Sequence, residues 1–116
     1  MGKNFLFTLA AIACFVFSAQ AWGTATSETV TFTVYGNCGM CERAIEGAVK
    51  NEKGISFADW DRETHQMKVD FNPSVVTLGA IRQMIADAGY DSDTHRADDR
   101  KYDSLPACCK YTRPNN

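Results

Sequence analysis

Residues 29 to 49 read TVTFTVYGNCGMCERAIEGAV and contain the change of pattern that decides the fold. In the first seven of these residues, large apolar side chains alternate with threonine, and this period of two predicts a half-buried β-strand. From Cys41 to Val49 the apolar residues recur at i, i+3, i+4, i+7 and i+8, which predicts an amphipathic helix. A strand therefore passes into a helix through a loop that carries Cys38 and Cys41.

Downstream, the pattern predicts two more strands, a second helix and a short last strand. Alternating apolar residues place the strands around residues 55–60 and 67–71. The second helix begins after an N-cap at Thr77 and stops at Gly89, with an inward face formed by Leu78, Ile81, Ile85 and Ala88. Residues 90–95 form the predicted fourth strand. The order β-α-β-β-α-β predicts an α+β, ferredoxin-like sandwich.

Composition limits the size and the partners of the protein. The chain has 116 residues, of which 45% are hydrophobic and 22% charged, as in one small globular domain. Its 12 basic and 14 acidic residues give a net charge of −2, which provides no basic field for nucleic acid. No Ser/His/Asp group, paired-carboxylate signature or glycine-rich phosphate loop is present. We therefore expect neither a nucleic-acid partner nor an enzyme of these classes.

The N-terminus has the pattern of a cleaved export signal. Lys3 precedes a 13-residue apolar run at residues 5–17, and an A-x-A pattern ends at Ala21. The run is too short to span a bilayer, which needs roughly 20 residues. Lipoprotein processing at Cys14 is the alternative, but the usual preceding leucine is missing. We expect export to the periplasm, with cleavage after Ala21.

These features divide the chain into four parts. They are a signal peptide (residues 1–21), a flexible lead-in (22–28), a domain (29–96) and a C-terminal tail (97–116). The mature part, which we expect to be soluble, keeps four of the five cysteines as two close pairs. An even number of cysteines in an exported protein first suggests two disulfides, although adjacent cysteines rarely pair with each other.

The first pair, Cys38 and Cys41, has the spacing of a soft-metal site. The N-terminus of a helix favours thiolate over thiol, and the i, i+3 spacing brings both sulfurs to one ion. Thiolates select Cu(I) or Zn(II), and a site with only two protein ligands leaves the ion accessible to a partner. A redox-active dithiol and a structural disulfide are the alternatives.

With these motifs, residues 29–95 resemble a heavy-metal-associated domain. The resemblance depends on the βαββαβ order, on the CxxC at the end of the first strand and on Gly89-Tyr90 after the second helix. The usual family loop reads GMTCxxC, whereas this loop reads GNCGMC, one residue shorter and without the first methionine. Together with Tyr102-x-x-Leu105-Pro106-x-Cys108-Cys109, it resembles an exported bacterial subgroup of the family.

The resemblance implies roles for individual residues. Cys38 and Cys41 would be the metal ligands, and Tyr90 would lie in the loop that faces the metal. A half-exposed core aromatic is the alternative for Tyr90. The thioether of Met40 could assist Cu(I) binding, but a side chain that faces solvent or a partner is the preferred interpretation.

The second thiol pair lies outside the common family pattern. Cys108 and Cys109 follow Pro106, which predicts an extended backbone. They could complete the site of Cys38 and Cys41, form disulfides with that pair, or act independently. Neither His65 nor His95 has a partner at metal-ligand spacing, and both are expected to be surface residues.

The expected function is non-enzymatic binding of a soft metal, most simply by a Cu(I) chaperone or scavenger. The ion would pass by ligand exchange to a metal-transporting membrane protein or another metal acceptor. Thiol–disulfide exchange through Cys38 and Cys41 is the enzymatic alternative. Binding of Hg(II) or Zn(II) by the same residues is the third.

Overall fold

The chain forms a three-stranded antiparallel sheet, two helices that pack on it, and a folded C-terminal segment. The computed structural model describes residues 26–115, so the expected signal peptide lies outside the described residues. The elements are β1 (Glu28–Thr33), α1 (Gly39–Val49), β2 (Ile55–Trp60), β3 (Gln66–Phe71), α2 (Leu78–Asp87), α3 (Asp99–Asp103) and a 3-10 turn (Ala107–Cys109). Over residues 26–115, none of the helices has the length and apolar character needed to cross a bilayer.

The sheet brings the ends of two strands to the edge where the cysteine loop lies. Strand β3 is central and pairs antiparallel with both β1 and β2, so β1 and β2 run in the same direction. The loop after β1 and the turn after β2 therefore lie at the same end of the sheet. Within this end, the indole of Trp60 donates a hydrogen bond of 2.9 Å to the carbonyl of Val34.

Most of the predicted helix and strand faces form the core, but Phe57 of β2 is 46% exposed, at the point where the register of β2 with β3 shifts. The buried side chains come from all three strands and both long helices, and they include Phe32, Val34, Cys41, Ile45, Val49, Trp60, Met67, Val69, Phe71, Ile81 and Ile85. Thr77 caps α2 as expected, because its hydroxyl accepts a hydrogen bond of 3.1 Å from the backbone N–H of Ala80. The ferredoxin-like fold predicted from the periodicity is confirmed.

The prediction of a fourth strand at residues 90–95 is wrong in detail. In place of a strand at residues 90–95, the described chain has a single antiparallel bridge between Val34 and Ser92. The N–H of Ser92 donates to the carbonyl of His95 at 2.8 Å, and the Ser92 hydroxyl accepts from the N–H of His95. These bonds turn the chain back on itself, so that the pairing with β1 cannot continue.

The C-terminal segment is not an extended solvated tail. Residues 97–113 fold back on the domain, and Ala97, Cys109 and Tyr111 are buried. The backbone after Pro106 forms a 3-10 turn, whereas the sequence predicted an extended chain. The charged residues of α3 remain exposed.

A buried ion pair holds this segment in place. The carboxylate of Asp91, which is 0% exposed, accepts hydrogen bonds from Arg113 at 2.8 and 2.9 Å and from the N–H of Ala97 at 2.7 Å. Beside it, the hydroxyl of Tyr111 accepts from the N–H of Asp91 at 2.8 Å and donates to the carbonyl of Gly89 at 2.9 Å. The end of the chain is thereby joined to the loop after α2.

Gly89 allows the segment to approach α2 closely. Its φ of +103° is unfavourable for other residues, and a Cβ there would lie 2.9 Å from Cδ2 of Leu105 and 3.0 Å from the carbonyl of Lys101. The glycine that stops the helix therefore also makes room for the C-terminal segment.

Replacing Asp91 with asparagine should destabilise the protein in a pH-dependent way. Burial raises the pKa of Asp91, but the hydrogen bonds from Arg113 and Ala97 outweigh it and leave the pKa below its usual range. At pH 7 we expect D91N to lower the free energy of unfolding by about 3 kcal/mol, because Arg113 loses its buried partner. The stabilisation by Asp91 is present above its unfolded pKa of about 3.9 and is lost as the pH falls through the folded pKa.

Urea denaturation at pH 7 and at pH values below 4 measures this effect, and the deficit of D91N should shrink as the pH falls. Asp99 is the matched control, because it pairs with the same arginine at 2.7 Å but is 80% exposed. D99N should cost about 1 kcal/mol or less. Equal losses for the two variants, or a deficit that does not change with pH, would contradict the assigned role of Asp91.

Candidate metal centre

The two cysteines of the first pair lie at the junction of β1 and α1. Cys38 is the N-cap residue of α1, with an extended backbone (φ −132°, ψ 176°), and its carbonyl accepts the first helical hydrogen bond from Glu42 at 3.0 Å. Cys41 lies in the first turn of the helix and is buried, whereas Cys38 is only partly buried. Their Sγ atoms are 3.4 Å apart.

The C-terminal segment brings the second cysteine pair to the same place. The Sγ atom of Cys109 lies 3.7 Å from that of Cys38 and 3.9 Å from that of Cys108. The three sulfurs of Cys38, Cys108 and Cys109 all lie within 4.8 Å of one another. The second pair therefore lies beside the first, and the four cysteines within residues 26–115 are free thiols.

Met40 extends the cluster at its exposed side. Its side chain is 46% exposed, in agreement with the preferred interpretation of this residue. The thiol of Cys108, which is also exposed, donates to the Met40 sulfur at 3.8 Å. Buried sulfurs thus lie on one side of the cluster and accessible sulfurs on the other.

The start of the helix makes Cys38 acidic. The backbone N–H of Cys41 is the largest influence, and with the thiols of Cys41 and Cys108 and the N–H of Met40 it overcomes desolvation and lowers the pKa of Cys38 to about 6. This is the effect expected of unpaired N–H groups at a helix N-terminus. Cys38 is therefore mainly a thiolate at neutral pH.

The pKa values of the second pair, Cys108 and Cys109, shift in the opposite direction and are raised. Burial and the neighbouring Cys41 raise the pKa of Cys109 to about 12. The neighbouring sulfur of Cys38 is the main cause of the raised pKa of Cys108, followed by burial. The metal-free cluster thus has a thiolate at Cys38 with neutral thiols at Cys108 and Cys109, and a metal ion that coordinates those thiols must displace their protons.

Tyr90 lies beside the cluster and is fully enclosed. Its side chain is 1% exposed, so the interpretation as a half-exposed aromatic is wrong. Burial, together with the thiols of Cys109 and Cys41, raises the pKa of Tyr90, and the hydroxyl stays protonated at neutral pH. The ring stacks on Tyr111, with centroids 5.9 Å apart. Tyr90 thus contacts both the cysteine cluster and Tyr111, the buried tyrosine of the C-terminal segment.

The two histidines have other surroundings. The ring of His65 stacks on Trp60 with centroids 5.8 Å apart, and the ring of His95 is hydrogen-bonded to Thr94 at 2.9 Å. Among residues 26–115, no group of three metal-binding side chains within 4.8 Å includes a histidine.

A second cluster, of carboxylates, was missed by the sequence reasoning. Oxygens of Glu42, Glu46 and Asp59 lie within 4.8 Å of one another. Burial and the charges of Glu42 and Asp59 raise the pKa of Glu46. The sequence shows the i, i+4 spacing of Glu42 and Glu46, but it does not show that their side chains approach Asp59 of β2. Glu42 also forms an ion pair with Arg62 at 3.4 Å.

Comparison with known proteins identifies the family of the domain that carries Cys38 and Cys41. The pattern of the heavy-metal-associated domain matches residues 31–91. The copper chaperone CopZ of Staphylococcus aureus (strain JH9) is 36% identical over 55 residues, which cover 47% of this chain and 81% of that protein.

Solved structures of proteins with this fold are also similar to the chain. Oxidized MerP from Ralstonia metallidurans CH34 is 32% identical, with a TM-score of 0.55 over 59% of this chain and 96% of that chain. A copper-binding domain of HMA7, a P-type ATPase, is 27% identical, with a TM-score of 0.54 over 56% of this chain and 89% of that chain. The residues matched by the family pattern, 31–91, run from within β1 to the end of α2 and beyond, and they include Cys38 and Cys41. The chain therefore belongs to the heavy-metal-associated domain family.

Proposed function

We propose that the protein is a carrier of a soft metal ion, most simply Cu(I), which it binds through Cys38 and Cys41 and gives up by ligand exchange. The observation that carries this proposal is the location of the two sulfurs, 3.4 Å apart at the start of α1. One sulfur is buried and the other is accessible and acidic. The pair can therefore hold an ion and still present it to a partner.

The donor chemistry supports copper over hard ions. Thiolate sulfur prefers Cu(I), and also accepts Zn(II) and Hg(II), whereas Mg(II) and Ca(II) prefer oxygen ligands. Relatives described as copper chaperones favour Cu(I) among the soft ions. Hg(II), which the same two thiolates would also accept, is the competitor that the experiments must include.

Transfer follows from the unequal burial of the sulfurs. A thiolate of the acceptor can approach the ion only from the side of Cys38 and Met40, because Cys41 is buried in the core. The ion would be shared in a mixed complex before Cys41 releases it. Since a copper-binding domain of a P-type ATPase has the same fold, a metal-transporting membrane protein is the proposed acceptor, and another metal acceptor is the alternative.

The proposed location is the periplasm. It depends on the export pattern at residues 1–21, and lipid attachment at Cys14 remains the alternative. An oxidising compartment would convert the thiols to disulfides, which cannot bind the ion in this way. The carrier role there therefore requires that the cysteines be loaded with metal or kept reduced by a partner.

Thiol–disulfide exchange is a second candidate, favoured by one observation. The lowered pKa of Cys38 is also the property of a nucleophilic cysteine in a redox-active CxxC motif. The surrounding sulfurs of Cys108, Cys109 and Met40 instead suit coordination of a soft ion. We place metal binding first for this reason.

Replacement of both Cys38 and Cys41 by serine should abolish tight Cu(I) binding and leave the fold intact. Two thiolate ligands are lost, and a serine hydroxyl is a poor ligand for Cu(I). Anaerobic titration of the reduced protein against a coloured Cu(I) chelator measures the binding, with Zn(II) and Hg(II) titrated in parallel. Far-UV circular dichroism checks the fold, and S74A, at an exposed serine, is a control outside the cluster.

Unchanged 1:1 binding by the C38S/C41S protein would refute the role of this pair. Tighter retention of Hg(II) or Zn(II) than of Cu(I), relative to a free dithiol, would change the identity of the cargo.

The redox alternative is tested by an activity assay on the same proteins. With insulin as a disulfide substrate and dithiothreitol as reductant, we expect the wild-type protein to be no faster than C38S/C41S, because a carrier has no site for a peptide disulfide. A rate well above that of C38S/C41S and lost in C41S would favour the oxidoreductase.

A further inference from the structure

The C-terminal segment is anchored on both sides of Cys108 and Cys109. Before the pair, Leu105 packs against Gly89 and the core. After it, Tyr111 is buried, and Arg113 forms the ion pair with Asp91. The hydroxyl of Tyr102 also donates to the carbonyl of Tyr111 at 2.6 Å, which closes the segment on itself. The two thiols are therefore positioned by folded structure and do not depend on chance approach of a loose tail.

The separations of the Cys109 sulfur from those of Cys38 and Cys108 match a shell of more than two ligands, and the metal-free separation of Cys38 and Cys41, 3.4 Å, would widen slightly around an ion. With a metal–sulfur bond of about 2.3 Å, two sulfurs on opposite sides of an ion would be about 4.6 Å apart. In trigonal and tetrahedral shells the same bond gives sulfur separations of about 4.0 and 3.8 Å. The distances of Cys109 to Cys38 and to Cys108, 3.7 and 3.9 Å, match these last two shells.

We propose that Cys109 and Cys108 bind the same ion as Cys38 and Cys41, so that the C-terminal segment converts an open two-thiolate site into a closed one of three or four thiolates. This inference rests on the proposed function, because it adds ligands to that site. The ligand class is a soft ion that accepts three or more thiolates, namely Cu(I) or a tetrahedral ion such as Zn(II). As the thiols coordinate, their protons leave to solvent.

Burial divides the four ligands into two groups. Cys41 and Cys109 are buried and would retain the ion, whereas Cys38 and Cys108 lie toward solvent and would exchange first. Such a site releases its cargo less readily than a bare CxxC, since a competitor must displace more than two sulfurs. Zn(II) gains most, because four thiolates form its preferred closed structural shell.

The test compares the full-length mature wild-type protein with C108S/C109S and C38S/C41S, each reduced and loaded with Cu(I) or Zn(II). X-ray absorption at the metal edge counts the sulfur ligands, and chelator competition measures retention. For C108S/C109S we expect the sulfur count of Cu(I) to fall from three or more to two. The chelator concentration that removes half of the metal should fall about tenfold or more, with a larger fall for Zn(II).

Because Cys109 is buried, C108S/C109S could lose metal simply by folding poorly. Two further measurements do not change Cys109. The single variant C108S changes only an exposed thiol, and A107S is its matched control in the same 3-10 turn. In the unmodified protein, mass spectrometry after brief alkylation should show Cys108 accessible without metal and protected with it.

The outcomes separate this inference from the proposed function. The inference would be overturned if wild type and C108S/C109S each showed two sulfur ligands, retained the metal equally well, and if metal did not change the alkylation of Cys108. The site of Cys38 and Cys41 would remain in place. Full Cu(I) binding by C38S/C41S would overturn the proposed function. A sulfur count that falls in C108S/C109S but not in A107S supports the inference.

Discussion

The buried carboxylate of Asp91 is the constraint on which the end of the molecule depends. A charge removed from water must be paired and hydrogen-bonded, and here Arg113 and the N–H of Ala97 supply these contacts. Arg113 can reach Asp91 only if the intervening 21 residues turn back on the domain. The same return takes Cys109 to within 3.7 Å of Cys38. One ion pair thus links the folded C-terminal segment to the sulfur cluster.

The sulfurs of Cys38, Cys108 and Cys109 can lie together because the pKa is lowered at Cys38 and raised at the other two. The N–H groups of the helix stabilise negative charge on Cys38, whereas burial keeps Cys109 protonated. The protonated thiols can share their hydrogens with the thiolate, and the metal-free cluster avoids repulsion among like charges. A soft cation would replace those protons, so the same arrangement serves both the empty and the loaded protein.

The predictions from sequence were accurate wherever structure depends on neighbours along the chain. The change of period at Cys41 predicted β1 and α1, and Thr77 and Gly89 predicted the limits of α2. The contiguous GNCGMC stretch likewise placed two sulfurs at a helix start, because the i, i+3 spacing determines their separation. The predicted strand at residues 90–95 failed because two hydrogen bonds between Ser92 and His95 turn the chain there, so that a single bridge between Ser92 and Val34 forms.

By itself, the sequence determined the sandwich, the location of the CxxC motif and the soft-donor chemistry, because periodicity and ligand type are local properties. Only the tertiary structure decided that Cys109 lies against Cys38, that Tyr90 is enclosed, and that the carboxylates of Glu46 and Asp59 meet. Each of these contacts joins parts of the chain separated by turns whose direction depends on long-range pairing. The sequence contains Arg113 and Asp91 but does not show that they pair. The fold brings them together and excludes water, which would otherwise compete for their hydrogen bonds.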